Sequence, residues 1–270
     1  MKIIRYAPLD GGEPQWGWLD ADGTSKKFRI GTVWGAWEKN NEAAPPHKLL
    51  APVAPPVIFA IGLNYREHAK ETGAPVPKWP MLFMKSPLSV QHPGEPIQIP
   101  RALRSDQADY EAELAIVIAR TCKNVKTEHA LDYVAGLCCA NDVSARDWQR
   151  QWGGGQFCRG KTFDTFCPLG PWLVTLDELP ASLDLRIRSR VNGETRQDSR
   201  TSDMIFPVRE LIAFLSGSTT LPAGAVILTG TPAGVGMGRT PPVFLKPGDV
   251  VEVDIDGLGV LRNPVVEEAI

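Results

Sequence analysis

The chain has 270 residues and a net charge of −2, enough for one large domain, or one with a small appendage, and its mixed charges without long basic or acidic blocks argue against a nucleic-acid or membrane-surface binder. No apolar run approaches the ~20 residues of a membrane-spanning helix, and the opening M-K-I-I-R-Y-A-P lacks the features of a leader peptide. The five cysteines are odd in number with no C-x-x-C, which argues against a disulfide framework or a zinc site and points to free thiols in a reducing cytoplasm.

Met1–Ile30 reads as short strands joined by turns. Ile3, Ile4 and Tyr6 form the first, Gly11-Gly12 breaks it, Trp16, Trp18 and Leu19 resume, and Asp22-Gly23 turns back. Gly31–Asn41 is compatible with a short helix. Ala43–Pro56, rich in Ala and Pro with Leu49-Leu50 inside it, reads as a linker. The expected division is a small β-rich N-terminal module with its linker, residues 1–54, and a main domain, residues 55–270.

Val57–Ile61 reads as a short buried strand running through Gly62 into a helix of one to two turns. Asn64 is placed to cap it, Glu67 has capping-box spacing, and Gly73 ends it. His68 and Glu71 are three apart and share a face of this helix; on their own they read as a polar pair on a surface helix. Ala74–Pro80, with three prolines, is a loop, Met81–Lys85 an apolar strand, and Pro87–Gln107 loop-rich.

Asp109–Ala119, D-Y-E-A-E-L-A-I-V-I-A, alternates with period two, which predicts a strand with one buried face. Tyr110, Ala112, Leu114, Ile116 and Ile118 fall on one side; Glu111, Glu113, Ala115, Val117 and Ala119 fall on the other. Residues i and i+2 of a strand point the same way, so Glu111 and Glu113 converge. Two carboxylates this close repel unless a proton or a cation neutralises them, and a hard divalent ion is the natural occupant. Two solvated glutamates are the plain alternative. Asp142, directly after the small apolar run Gly136–Ala140, is the candidate third oxygen ligand. Cys138 and Cys139 lie in that run and read as core.

Downstream, Thr127 is placed to cap a helix through Tyr133 that stops near Gly136. Val143–Gln151 reads as either irregular or helical, and Gly153–Gly155 as a break. Leu185, Ile187 and Val191 alternate with Arg186, Arg188 and Arg190, a strand with a solvated basic face, and Asn192-Gly193 is a two-residue hairpin turn. Pro207–Leu215 reads as a helix with Leu211, Ile212 and Leu215 inward, and Ala225–Thr229 as a buried strand. After the Pro247-Gly248-Asp249 turn, Val250–Asp256 alternates again, and Gly257 and Gly259 frame the last turn. Strands dominate, helices are short, and no regular β-α-β alternation appears, which predicts an α+β fold with mixed sheets.

Five stretches in order, G-L-N-Y-R-E-H-A-K-E (Gly62–Glu71), D-Y-E-A-E, N-D-V-S-A-R-D-W-Q, G-K-T-F-D-T-F-C-P-L-G-P (Gly160–Pro171) and G-T-P-A-G-V-G (Gly230–Gly236), resemble the fumarylacetoacetate hydrolase family. The nearest likeness is to its fumarylacetoacetate hydrolase domain-containing branch, from about Pro55 to the C-terminus. The resemblance implies a mixed β-roll, a homodimer, and a metal held by Glu111, Glu113 and Asp142. Three carboxylates with open positions suit Mg²⁺, and Mn²⁺ takes the same donors. The implied substrate is a small 2-oxo acid or diketo acid, chelated through its carboxylate and 2-oxo oxygen.

By the same resemblance Lys161 stands beside the metal as an oxyanion stabiliser. Arg146 and Gln149 contact substrate, Arg146 as a carboxylate fork or else in a structural salt bridge with Asp147 or Asp164. Thr231 lies on a substrate-side loop, which lacks the G-K-[S/T] of a nucleotide site. His68 and Glu71 become a dyad on a lid hinged at Gly62 and Gly73, where Glu orients His and His takes a proton from water. The implied reaction is hydrolysis of the C3–C4 bond of an acylpyruvate-like substrate. Decarboxylation of oxaloacetate or a similar diacid, or isomerisation or hydration of a dienoate, are alternatives on the same site; a metal-binding protein without turnover is a third. Trp148, Trp152 and Phe157 either line the distal pocket or pack in the dimer.

Overall fold

Alternation along the Ala112–Ile118 strand sorts its side chains into two cores. Ala112, Leu114, Ile116 and Ile118 join one cluster with Ile187, Val253 and Ile255, whereas Ala115 and Val117 join another with Ile58, Ala60 and Val226. The strand is therefore buried on both faces rather than the expected one. The period is as read, but only the two glutamates had marked a face as wet, and both are buried too.

The computed structural model describes residues 1–30, 38–45 and 47–270. Among these, a twelve-stranded sheet runs from Glu38–Ala43 through Ser25–Ile30, Gln15–Leu19, Lys2–Pro8, Cys167–Val174, Val134–Asn141, Ala112–Ile118, Val226–Leu228 and Ile58–Gly62 to Met81–Lys85. His47–Leu50 and Val90–Gln91 pair at its side. A five-stranded sheet orders Glu194–Arg200, Arg186–Val191, Val250–Ile255, Gly259–Glu267 and Ile97–Ile99. Most pairs are antiparallel, but Val226–Leu228 with Ile58–Gly62, Gly259–Glu267 with Ile97–Ile99, and Cys167–Val174 with Val90–Gln91 are parallel, so the sheets are mixed. The larger core cluster, which joins residues of both sheets, sits between them. The α-helices Arg66–Glu71, Cys158–Lys161 and Val208–Ser216 are short, and among the described residues no helix is long and apolar enough to cross a membrane. The α+β reading stands.

Several local expectations change. The Ala43–Pro56 segment is not a free linker: His47–Leu50 pairs antiparallel with Lys2–Pro8, and Leu50 and Ala51 are buried. Of the Gly31–Asn41 helix, residues 31–37 lie outside the described residues, and Glu38–Asn41 belongs to a strand paired with Ser25–Ile30. Thr127–Tyr133 is a run of 3-10 turns whose cap position falls on Lys126. Val208–Ser216 forms as expected, with Leu211, Ile212 and Leu215 buried. Asn192 and Gly193 both take positive φ, 53° and 79°, the type I′ geometry that matches strand twist. The arginines at 186, 188 and 190 do not simply face water; they pair with Asp198 and Asp254 on the neighbouring strands and with Asp256 just past the second of them.

Candidate active site

Strand register brings the three acids together. Val134–Asn141 runs antiparallel to Ala112–Ile118, with Ala140 opposite Glu113 and Asn141 opposite Ala112. The next residue, Asp142, donates its backbone N–H to the Glu111 carbonyl at 2.9 Å, and Asn141 Oδ1 accepts the Glu111 N–H at 3.0 Å. Carboxylate oxygens of Glu111, Glu113 and Asp142 consequently lie within 4.8 Å of one another, all buried.

Three buried cations answer them. Lys161 Nζ donates to Glu111 Oε2 at 2.8 Å and Asp142 Oδ2 at 2.7 Å. Lys85 Nζ lies 2.6 Å from Asp142 Oδ1 and donates to the Val143 and Lys161 carbonyls. Arg146 donates from Nε to Asp109 Oδ2 at 2.9 Å and from Nη1 to Gln149 Oε1 at 2.9 Å, and its Nη2 is 2.6 Å from Glu111 Oε1. Burial would raise Glu111, yet Lys161 and Arg146 overcome it and bring this carboxyl down to about 2. Burial would equally lower Lys161, and Asp142 with Glu111 outweigh it, so its ammonium is stabilised.

Glu113 differs. It accepts the Gly230 N–H at 2.7 Å, but no basic side chain pairs with it among the described residues. Burial first, then Asp142 and Glu111, push it well above the usual carboxylate range. With a proton on Glu113, four carboxylates (Asp109, Glu111, Glu113, Asp142) and three cations balance. A divalent cation bound by the three acids would take that proton's place, and hard oxygen donors are the right set for it. The donors present fit such an ion.

The dyad forms. His68 Nδ1 lies 2.8 Å from Glu71 Oε2 across one turn of Arg66–Glu71, and Glu71 Oε1 accepts the Gly234 N–H at 2.9 Å. Burial would raise the Glu71 carboxyl; the bonds from His68 and Gly234 outweigh it and hold it below its usual value. His68 is buried and lines a cavity of about 210 Å³ together with Glu111, Glu113, Lys161, Gln149 and Thr231. That volume suits a small organic acid, since drug-sized pockets begin at about 300 Å³. The expected Asn64 cap does not form. Its amide instead donates to the Phe206 and Thr229 carbonyls, and its Oδ1 accepts the Phe206 N–H, which ties the chain just before the Arg66–Glu71 helix to the body.

All nine residues singled out from sequence gather here, but two are engaged differently. The three guanidinium nitrogens of Arg146 that bond are held by Asp109, Glu111 and Gln149, not by Asp147 or Asp164, and its fork is closed by protein. Thr231 Oγ1 donates to the Ala112 carbonyl and accepts Gln197 Nε2, so it fixes the loop on the strand. Gln149 uses its carbonyl on Arg146, leaving its amide N–H groups for a ligand. Of the aromatic residues, Phe157 lines the cavity with Met81 and Phe83, while Trp152 is exposed and meets Trp148 edge-on.

Lys85 and Asp109 were missed. Period two could have found both: Asp109 precedes Glu111 and Glu113 in the same alternating series, and Lys85 shares a side with buried Phe83. Asp109 is fully buried and also accepts the Gly236 and Met237 N–H groups, so it couples Arg146 to the loop that holds Glu71.

A family model described as fumarylacetoacetate (FAA) hydrolase C-terminal matches residues 57–266. Oxaloacetate tautomerase fahd2, mitochondrial, of Xenopus laevis is 53% identical over 219 residues, which span 81% of this chain and 68% of that protein. Among solved structures, the 5-carboxymethyl-2-hydroxymuconate delta-isomerase from Mycobacterium smegmatis is similar with a TM-score of 0.86 and 38% identity, over 99% of this chain and 100% of that one. The 2-hydroxyhepta-2,4-diene-1,7-dioate isomerase from Mycobacterium marinum gives 0.85 and 36%, over 100% of both chains.

Proposed function

Because the chain belongs to the fumarylacetoacetate hydrolase family, in its fumarylacetoacetate hydrolase domain-containing branch, we propose that it interconverts the keto and enol forms of a small 2-oxo acid such as oxaloacetate. The observation that carries this reading is a cavity lined by His68, itself paired with Glu71, and by Glu111, Glu113 and buried Lys161, with Asp142 completing the carboxylate cluster behind them. Glu111, Glu113 and Asp142 would hold the divalent cation, Mg²⁺ or Mn²⁺. When bound, it supplies a Lewis acid that lowers the cost of negative charge on a 2-oxo oxygen.

The chain's own groups handle the proton. Glu71 accepts from His68 Nδ1–H, which fixes the tautomer and leaves Nε2 with a free lone pair. His68 Nε2 takes a proton from C3 of the keto acid, the C3 electron pair moves into the C2–C3 bond, and the 2-oxo oxygen gains negative charge. The His68 imidazolium, stabilised by Glu71, then gives its proton to that oxygen, and the enol is complete. Lys161 supports the developing charge, and the Gln149 amide donates to the substrate. The relatives named as a tautomerase and isomerases also fit a reaction in which protons move and no carbon–carbon bond breaks. Following enol absorbance of freshly dissolved oxaloacetate, with and without protein and Mg²⁺, tests the reading; equilibration no faster than the buffer rate counts against it.

Cleavage of an acylpyruvate at C3–C4 is the second reading. The apolar side of the cavity, Met81, Phe83 and Phe157, gives an acyl group a place, and His68 Nε2 is equally suited to taking a proton from water. Release of pyruvate from acylpyruvates separates the two. We retain the division at residues 54 and 55 because the family match begins at residue 57, and the roll-like wrap of the two sheets with a homodimeric assembly as the family expectation. All five cysteines are free, which fits a reducing compartment, whether the cytoplasm or the mitochondrion named for the relative.

A further inference from the structure

The basic groups that line the cavity are Arg146, Lys161, His68 and Arg150. The first three are engaged by acids: Arg146 by Asp109 and Glu111, Lys161 by Glu111 and Asp142, His68 by Glu71. The Arg150 side chain alone has no hydrogen bond or ion pair among the described residues. It stays exposed at the mouth while reaching the cavity wall.

Its position is fixed by its neighbours. Arg150 sits in the single π-helical turn Trp148–Trp152. Asp147, just before the turn, is buried and accepts from Ser105 Oγ at 2.8 Å, the Asp106 N–H at 3.0 Å and the Trp148 N–H at 2.8 Å. The nearest acid in sequence is thus engaged away from Arg150, and it anchors the turn. Gly160 packs so closely under this turn that a Cβ there would lie 2.7 Å from the Gln149 nitrogen. An unpaired guanidinium on an anchored turn beside a second guanidinium, that of Arg146, is a standing demand for an anion.

We propose that Arg150 binds the second carboxylate of a 2-oxo dicarboxylate and so sets the preference for diacids over monoacids. This rests on the 2-oxo acid reading above and adds the residue that recognises the far end of the substrate. The carboxylate beside the 2-oxo group would go to Lys161 and to the divalent cation that Glu111, Glu113 and Asp142 would hold. Arg146 cannot serve the other end without leaving Asp109 or Glu111, both buried. Arg150 gives two parallel N–H donors for a carboxylate with no such loss.

The test compares malate with lactate, which differ only in the second carboxylate, by calorimetry in the presence of Mg²⁺. The wild-type protein is expected to bind malate more tightly. In Arg150→Gln the malate-to-lactate affinity ratio should fall about tenfold, the lower range for losing a hydrogen-bonded charge at a partly solvated site. Arg150→Lys should recover part of that ratio. Because the group is exposed, the wild-type ratio should also shrink with added salt. A wild-type protein without preference for malate, or an Arg150→Gln variant with an unchanged ratio, overturns the proposal. A protein that keeps the Arg150-dependent preference but does not equilibrate oxaloacetate would retain this assignment and lose the proton-transfer reading.

Discussion

Glu71 is gripped from two sides: Oε2 meets His68 Nδ1 at 2.8 Å, and Oε1 accepts the Gly234 N–H at 2.9 Å. Gly238 closes the same niche. A Cβ built on it would lie 2.8 Å from the Glu71 carboxyl carbon and Oε1, with only Glu71 side-chain atoms as its nearest neighbours. His68 is therefore oriented by a carboxylate that the Gly230–Gly236 loop and its continuation hold in place.

Gly238→Ala should displace Glu71 while leaving the fold intact, because the clash falls on the end of a flexible side chain. We expect kcat to drop about a hundredfold, the scale of an ångström-sized misplacement, with little change in melting temperature. A variant with normal kcat would show that the Glu71 position does not matter for turnover.

Metal binding should release a proton. Burial, then Asp142 and Glu111, raise the Glu113 carboxyl well above its usual value and so favour a proton there, whereas Lys161 and Arg146 bring Glu111 down to about 2. The cation competes with the proton on Glu113, so affinity should rise with pH until Glu113 ionises unaided, and fall in acid. Calorimetry in two buffers of different ionisation enthalpy reads the proton count. Exhaustive chelation should abolish turnover, and Mg²⁺ or Mn²⁺ restore it; affinity independent of pH would contradict the assignment.

Lys161→Met should remove most turnover without weakening the metal site. Lys161 bridges Glu111 and Asp142, so its loss leaves those carboxylates with less positive charge nearby and makes a cation more welcome. The expected pair of results is a kcat lowered about a hundredfold or more, as for loss of an oxyanion donor, with metal affinity equal or higher. Weakened metal binding with near-normal kcat at saturating Mg²⁺ would reverse the role.

Arg146→Met addresses stability. Asp109 and Glu111 would be left buried with one fewer partner, and breaking a buried pair costs about 3–5 kcal/mol. Denaturant unfolding measures it. A loss within experimental error would mean that water or a rearranged lysine compensates.

The parts of this site that obey period two were legible from the chain. Glu111 and Glu113 converge because strand residues two apart must, and Asn192-Gly193 turns because few other pairs accept two positive φ values. Long-range partners were not legible. Arg146 reaches Asp109 through the pairing of Ala108 with Ala145 and Asp109 with Ser144, which no local pattern encodes. Asn64 looked like a cap because its spacing to Glu67 is right, yet its partners Phe206 and Thr229 are 142 and 165 residues away. His47–Leu50 was hidden among Ala and Pro residues, where composition outweighs a four-residue strand.

The proton-transfer claim is tested most directly by hydrogen–deuterium exchange at C3 of oxaloacetate, followed by NMR with Mg²⁺ present, in wild type and in His68→Ala. Exchange requires the C3 proton to leave, whatever happens to the enol afterwards. If His68 is the base, its removal should slow enzyme-catalysed exchange by about 10²–10⁴-fold, while the binding of malate survives. Exchange in His68→Ala as fast as in wild type would contradict the account and return His68 to a polar residue on a short helix.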